Sequence, residues 1–155
     1  MAEDKKVTFW DKNEIECPVC HNTFQKEKLM SGGGRVIAGS ISDELRRYYQ
    51  ESKKYGYVNP LLYSPTICPH CWFCVLETDF GNNAVKKDVY ENLYKAQDDR
   101  VRKVTKLFEG MEPDYKENRT LESGTAAYIL ATICYSFFDS KMNPSIKRGI
   151  CSLRA

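Results

Sequence analysis

Four of the seven cysteines form two pairs with the spacing of metal ligands. Cys17 and Cys20 lie in "ECPVCH", Cys68 and Cys71 lie in "ICPHCWFC", and a proline follows the first cysteine of each pair. A tight turn can point both sulfurs of a Cys-x-x-Cys pair at one ion, and zinc accepts four thiolates in a tetrahedron. The two pairs therefore predict one four-cysteine zinc site. Because protein ligands would fill all four positions, such a site stabilises a fold and performs no hydrolysis.

Residues next to the pairs leave alternatives open. His21 follows the first pair and could displace a cysteine as ligand, whereas we expect Cys74 to pack beneath the site with Trp72 and Phe73. A glycine with positive φ often follows such a pair, but His21 and Trp72 stand at these positions. The other interpretations are a redox-active pair, disulfides and plain buried thiols. An odd count of seven cysteines argues against a closed disulfide framework.

Composition excludes several other classes of protein. The 155 residues are 42% hydrophobic and carry a formal charge of +2, so a core can form, and the charge alone does not indicate nucleic-acid binding. No apolar run approaches the roughly 20 residues that a membrane span needs, and the N-terminus lacks the features of a secretory signal. We therefore expect a cytoplasmic chain with reduced thiols. Since no acid–base pair or activated nucleophile is visible outside the cysteines, we expect no enzyme.

The elements that position the cysteines are predicted to include a small module over residues 1–80. The two cysteine pairs are separated by 47 residues, against roughly 15–20 in the common four-cysteine pattern, so this insert must fold back. "RVIAGSI" is a short β-like run, and "SISDELRRYYQESKKYG" predicts a helix over 43–54 that Ser42 or Asp43 caps. The module is thus predicted to be zinc-ribbon-like with a helical insert.

Residues 81–155 are predicted to be helical. Apolar residues recur at helical spacing from Val85 to Phe108, with one wider gap after Ala96. Asn82 or Asn83 is the expected cap of this helix. The basic stretch "RVRKVTK" at 100–106 is predicted to be a solvated face of it.

Two further helices are predicted beyond this one. A helix over 114–138 contains Gly124, which could allow another backbone to approach closely, and another begins with Asn143 as cap and Pro144 at the first position. The fold class is therefore α+β and mostly helical, with antiparallel helices after the zinc module.

The order of these motifs resembles the bacterial domain of unknown function 2225 family. The matching stretches are "CPVCHNTF", "RVI", "NPLLYSPTICPHC", the "DF" at 79–80, "NRTLESGTAAYILA" and "SIKRGICSLRA". The resemblance implies a zinc-binding cysteine module followed by tetratricopeptide-like helices, and it implies no activity. Family members continue with further helices, so the resemblance also implies that this chain ends inside the second helix of the first helical pair.

Binding to another protein is the function that this organisation favours. Stacked helix pairs make concave surfaces that suit peptides and partner helices, so we expect a scaffold or adaptor, with self-association through the C-terminal helices. Nucleic-acid binding by the zinc module is the alternative. A thiol redox protein comes third, because zinc would occupy both cysteine pairs. The basic residues that would contact phosphates in the alternative are Lys26, Lys28, Arg35, Arg46 and Arg47.

Overall fold

The protein consists of antiparallel β-hairpins followed by helices, as a computed structural model describing residues 6–108 and 118–155 shows. Each hairpin pairs two consecutive strands. The strands are β1 (Thr8–Glu16), β2 (Thr23–Leu29), β3 (Ile37–Ile41), β4 (Arg47–Gln50), β5 (Pro65–Ile67) and β6 (Cys74–Leu76). The helices are α1 (Lys87–Lys95), α2 (Gln97–Leu107), α3 (Leu121–Tyr135) and α4 (Pro144–Arg154). Single 3-10 turns occupy Pro60–Tyr63, Glu77–Asp79 and Ser140–Met142. The α+β class is confirmed.

The insert between the cysteine pairs is a β-hairpin, so the prediction of a helix over 43–54 is wrong. Strand β3 coincides with the β-like run, and it pairs with β4 in the register Ile37↔Gln50 and Ala38↔Tyr49. A helix over these residues would leave the backbone groups of β3 without partners, and unpaired backbone groups are costly. Leu45 adopts a positive φ of 61° in the connecting turn, which a continuous helix could not contain.

The prediction of helices over residues 81–155 agrees with the structure better than the prediction for the insert, although the helix boundaries differ. The helix expected from Val85 to Phe108 is divided at Ala96 into α1 and α2. It begins at Lys87 with Lys86 as the cap residue, so the prediction that Asn82 or Asn83 caps it is wrong. The Asn82 side chain instead accepts a hydrogen bond from the Ala84 N–H, as in a turn.

The last two helices were also expected, with different ends. Helix α3 begins at Leu121, where Thr120 and Ser123 form a reciprocal cap, and it ends at Tyr135. The first residues of the expected 114–138 helix lie outside the described ranges. Helix α4 begins at Pro144 as predicted, with Asn143 as the cap residue, although the Asn143 side chain makes no capping hydrogen bond.

Helix α3 lies at the centre of the packing. Most of its side chains are buried, because it contacts β5 and β6, α2, α4 and the 3-10 turn at 60–63, and a helix that is apolar on all sides is a core helix. Gly124 lies against this turn, where an added Cβ would stand 2.5 Å from Leu62 Cδ2. The close approach expected at Gly124 is therefore made by a side chain rather than by another backbone. Within the described residues, no helix is both long enough and apolar enough to cross a membrane.

Buried polar contacts join the β-hairpins to the helices. Asp79 accepts a hydrogen bond from the Tyr135 hydroxyl at 2.5 Å and lies 2.7 Å from the Lys147 ammonium. Arg119 donates to Glu27 on β2 at 2.8 Å and to the Leu62 carbonyl at 2.7 Å. One buried cluster contains apolar side chains from both parts of the chain, while the division at residue 80 stays a prediction.

Candidate metal centre

Two equivalent turns carry the paired cysteines. The first connects β1 to β2 and the second connects β5 to β6, so an antiparallel hairpin supports each pair. Backbone hydrogen bonds repeat in both turns: Cys17 N–H donates to the Asn22 carbonyl at 3.0 Å, and Cys68 N–H donates to the Phe73 carbonyl at 2.9 Å. We call the turns at 17–21 and 68–72 the first and second knuckle.

Each knuckle ends on a residue with positive φ. His21 has a φ of 59° and Trp72 has a φ of 55°, the left-handed region in which glycine is usual. The N–H of each donates at 2.9 Å to the carbonyl of the first cysteine, Cys17 or Cys68. Non-glycine residues therefore adopt the turn at a cost of about 1–2 kcal/mol each, which other interactions of the knuckles must offset.

The structure brings all four predicted cysteine sulfurs together. The Sγ atoms of Cys17 and Cys71 are 3.7 Å apart, those of Cys20 and Cys68 are 3.8 Å apart, and all four lie within 4.8 Å of one another. With a zinc–sulfur bond of about 2.3 Å, the edge of an ideal tetrahedron is about 3.8 Å. Sulfur atoms in a disulfide are about 2.05 Å apart, and the structure records these cysteines as free. The donor set therefore fits one tetrahedral metal ion.

The thiols of Cys17, Cys68 and Cys71 share one small, buried volume, so the protonation of each depends on its neighbours. Hydrogen bonds with the Cys17 and Cys71 thiols lower the pKa of Cys68. The hydrogen bond with Cys68 raises the pKa of Cys17, and those with Cys17 and Cys68 raise the pKa of Cys71. Without a cation, Cys68 is therefore favoured as the thiolate over Cys17 and Cys71. A divalent ion would favour the deprotonated form of every ligand, so metal binding would release protons.

The two neighbouring residues that could have replaced a cysteine lie apart from the cluster. His21 is exposed, and its Nδ1 lies 2.8 Å from Glu16 Oε1. Cys74 is buried, and its thiol donates to the Ala127 carbonyl at 3.2 Å on α3. Phe73 is also fully buried and packs against the rings of Phe80 and Tyr90. These contacts match the expectation that Cys74 and Phe73 lie in the core.

Arg100 supports the second knuckle from α2, and the sequence-based interpretation missed it. Its side chain is only 1% exposed, although the stretch that it opens was predicted to be a solvated face. It donates to the Cys71 carbonyl at 2.8 Å, the Leu93 carbonyl at 2.9 Å and the Trp72 carbonyl at 3.3 Å. In the described part of the chain, no carboxylate forms a salt bridge with Arg100.

The spacing of the apolar stripe contained the signal for Arg100. In the wider gap between Ala96 and Val104, no apolar residue occupies the position that faces the core. Arg100 occupies it and is buried there. Four thiolates and one divalent ion carry a net charge of −2. A buried guanidinium that donates to the backbone of two knuckle residues would complement that charge once an ion is bound, because nearby opposite charges stabilise each other in a low-dielectric interior.

The five basic residues of the nucleic-acid alternative do not form one cluster. Lys26 forms a salt bridge with Glu77, and Lys28 is exposed on β2. Arg35 lies over the Tyr55 ring, while Arg46 and Arg47 are exposed on the β3–β4 hairpin.

A cavity of about 740 Å³ lies between the first knuckle and α1, and it is lined by residues that include Val19, His21, Tyr90 and Tyr94.

Comparison with known proteins places the chain in a family. A profile described as an uncharacterised protein conserved in bacteria, DUF2225, matches residues 10–155. The chain belongs to the DUF2225 family. An uncharacterised protein of Borreliella burgdorferi is 36% identical over 151 residues, which is 97% of this chain and 53% of the relative. The chain thus spans about half the length of that relative. No solved structure matches.

Proposed function

We propose that the chain is a zinc-stabilised, zinc-ribbon-like module that presents antiparallel, tetratricopeptide-like helices to a protein partner. The cross-knuckle sulfur distances of 3.7 and 3.8 Å carry the metal assignment, since they equal the edge expected of a zinc tetrathiolate, about 3.8 Å. Cys17, Cys20, Cys68 and Cys71 would hold the ion. Bound zinc would supply folding free energy, on the order of 10 kcal/mol in small zinc modules.

A structural role suits this site better than catalysis or thiol exchange. Protein sulfurs would occupy all four positions, so no open position is left for a water molecule. Cys17, Cys68 and Cys71 have no exposed surface, and Cys20 alone of the four is partly exposed, whereas exchange within a Cys-x-x-Cys pair needs an accessible thiolate that is not held by metal. We therefore propose no enzymatic activity, and we place the protein in a reducing compartment, the cytoplasm, where thiols stay available for metal.

Zinc content measured on the purified chain tests the metal assignment. We expect one zinc per chain, and we expect Cys20→Ser to lower zinc affinity sharply because one ligand is lost. Cys74→Ser is the matched control, because serine can still donate to the Ala127 carbonyl. Zinc bound equally well by both variants would refute the ligand set, and so would a purified chain that binds no zinc.

The exposed face of α3 and α4 supports the protein-binding role. Thr125 donates to the Ala155 carbonyl at 3.2 Å, so the start of α3 lies beside the end of α4. Leu121 and Leu153 lie at this end, and they are 69% and 90% exposed. Exposed apolar side chains grouped in one region indicate an interaction surface, and an amphipathic helix of a partner would cover them.

Affinity capture with variants of that face tests the protein-binding role. We expect a partner captured by the unmodified chain to be lost from the double variant Leu121→Glu, Leu153→Glu. The same partner should be retained by Leu107→Glu, which changes a leucine of similar exposure on α2. Retention by the double variant would show that this face is not the binding surface.

A further inference from the structure

The β3–β4 hairpin extends into solvent without a core of its own. Over residues 35–57, which we call the hairpin arm, Ser52 is the one buried residue. Tyr48 and Tyr57 are 54% and 64% exposed. A two-stranded hairpin is at best marginally stable alone, and this one is closed at its base by the Arg35 guanidinium, 4.7 Å from the centre of the Tyr55 ring. The arm therefore displays its side chains rather than packing them.

The charge of the arm differs from that of the rest of the chain. It contains five basic and three acidic residues, and its excess of two positive charges equals the net charge of the whole protein. None of its acidic residues forms a salt bridge in the described structure. Two of them, Asp43 and Glu44, lie at the tip in the turn between the strands. The third, Glu51, is exposed directly after β4. Along β4 and the turn after it, pairs of basic residues lie close in sequence to tyrosines, in the order "RRYYQESKKYGY".

We propose that the hairpin arm binds single-stranded nucleic acid. Exposed tyrosine rings such as those of Tyr48 and Tyr57 offer flat surfaces on which unpaired bases stack, and neighbouring cations hold the phosphates. Within the arm, four exposed cations have no carboxylate partner in the described structure: Arg46, Arg47, Lys53 and Lys54. This ligand class goes beyond the proposed protein-binding role and uses a different surface.

The position of the acidic residues favours single strands over duplex. A β-ribbon can enter the major groove of DNA, but the tip of this one would carry Asp43 and Glu44 towards the phosphates. Stacking on Tyr48 requires bases that are not already paired and stacked in a helix. We therefore expect the strand to lie away from the tip, on the face of β4 that carries Tyr48. Because side chains alternate along a strand, Glu51 at the end of β4 belongs to the opposite face.

The number of available cations limits the affinity. With four phosphate contacts at most, the slope of log K against log salt should be no steeper than about −3. We expect a dissociation constant of about 1–100 µM at physiological salt, as is usual for sequence-independent binding. Such weak binding agrees with the nearly balanced charge of the whole chain.

Fluorescence anisotropy of the whole chain with labelled oligothymidylate and oligouridylate tests the proposal. Tyr48→Ala should weaken binding at least about fivefold, because one stacking platform is lost. Tyr57→Ala serves as a second variant in case Tyr48→Ala unfolds. Tyr94→Ala is the matched control, since Tyr94 is 56% exposed on α1. Lys53→Gln should make the salt slope shallower by about 0.7, whereas Lys141→Gln, an exposed lysine outside the arm, should leave it unchanged.

The outcomes separate the proposal from its competitors. Binding to either oligonucleotide that the arm variants weaken and the controls do not supports the proposal, and a preference between the two identifies RNA or DNA as the source. No binding at low salt would overturn it. Equal or tighter binding to a duplex would also overturn it, as would binding that Tyr48→Ala and Tyr57→Ala both leave intact. Loss of binding in Tyr94→Ala alone would move the site to α1.

Discussion

Replacing Arg100 with methionine should destabilise the protein more than the loss of an ordinary surface charge. The variant keeps a long apolar side chain but removes the donors to the carbonyls of Cys71, Leu93 and Trp72. Hydrogen bonds from a charged donor contribute about 1.5–3 kcal/mol each. Two of the three are short, and the methionine relieves the cost of burying a charge, so we expect a net loss of about 3 kcal/mol of unfolding free energy.

Thermal unfolding at a buffered concentration of free zinc is the appropriate assay, because bound metal shifts apparent stability by mass action. A loss of 3 kcal/mol should lower Tm by about 6–12 °C in a chain of this size. Zinc affinity, measured by chelator competition, should fall about tenfold or more, as for other residues that support metal ligands. Arg102→Met is the matched control: Arg102 is exposed on the same helix and pairs with Asp99, so its loss should change stability by less than about 0.5 kcal/mol.

Arg100→Lys separates the charge from the hydrogen bonds. A lysine keeps the positive charge but lacks the planar fork that contacts three carbonyls. We expect zinc affinity close to that of the unmodified chain and an intermediate loss of stability. If Arg100→Met unfolds within about 1 kcal/mol of the unmodified chain and binds zinc equally well, Arg100 does not support the second knuckle and this reasoning is refuted.

Three further predictions follow from the helices. Gly124→Ala should lower the free energy of unfolding by about 1–3 kcal/mol, because the added Cβ would overlap the Leu62 side chain. Gly149→Ala in α4 is the control: it has open space around it and should raise the free energy of unfolding by about 0.5–1 kcal/mol. Equal effects of the two variants in urea unfolding would show that the overlap is unimportant. Burial and the Asp79 hydrogen bond raise the pKa of Tyr135, so the folded state favours the protonated phenol. The contribution of Tyr135 to stability is therefore fully present below the unfolded pKa near 10 and is lost as pH rises through the folded pKa. Stability should therefore fall between about pH 10 and 12 by up to about 1.4 kcal/mol per unit more in the unmodified chain than in Tyr135→Phe, and parallel pH profiles would contradict this assignment. The exposed side chains of α4 should promote self-association, so light scattering should show a smaller average mass for Ile146→Glu than for the unmodified chain, with Leu107→Glu unchanged as control; a strictly monomeric unmodified chain would exclude it.

The cysteine site could be predicted from sequence because its information is local. Each pair needs only one turn, and spacing alone indicates that Cys17 and Cys20, or Cys68 and Cys71, can face one ion. The helix starting at Pro144 was equally readable, since proline at the first position is a local signal. What brings the two pairs together is the packing of two hairpins, and no local pattern encodes that arrangement.

The prediction for the insert was wrong because its sequence favours a helix locally, whereas pairing with β3 favours a strand. The segment "DELRRYYQESKK" contains helix formers and an expected cap at Ser42. In the structure, Ser42 N–H donates instead to the Arg46 carbonyl at 2.8 Å, which closes the turn between β3 and β4. Strand pairing decided the outcome, because propensity is a weak prior that other contacts override. Tyr48 and Tyr49 also favour strand over helix.

The buried guanidinium connects the metal centre to the helices. Burying Arg100 without a carboxylate partner is expensive, so the arrangement is stable only if something nearby offsets its charge. The carbonyls of Cys71 and Trp72 belong to the second knuckle, and the sulfurs of that knuckle would be part of a centre with net charge −2 once a divalent ion is bound. The proposed zinc ion would therefore do more than fix two turns: it would supply the negative centre that makes a positive charge acceptable inside α2. A bound ion would thus account for the polar residue in the gap between Ala96 and Val104 of an otherwise apolar stripe.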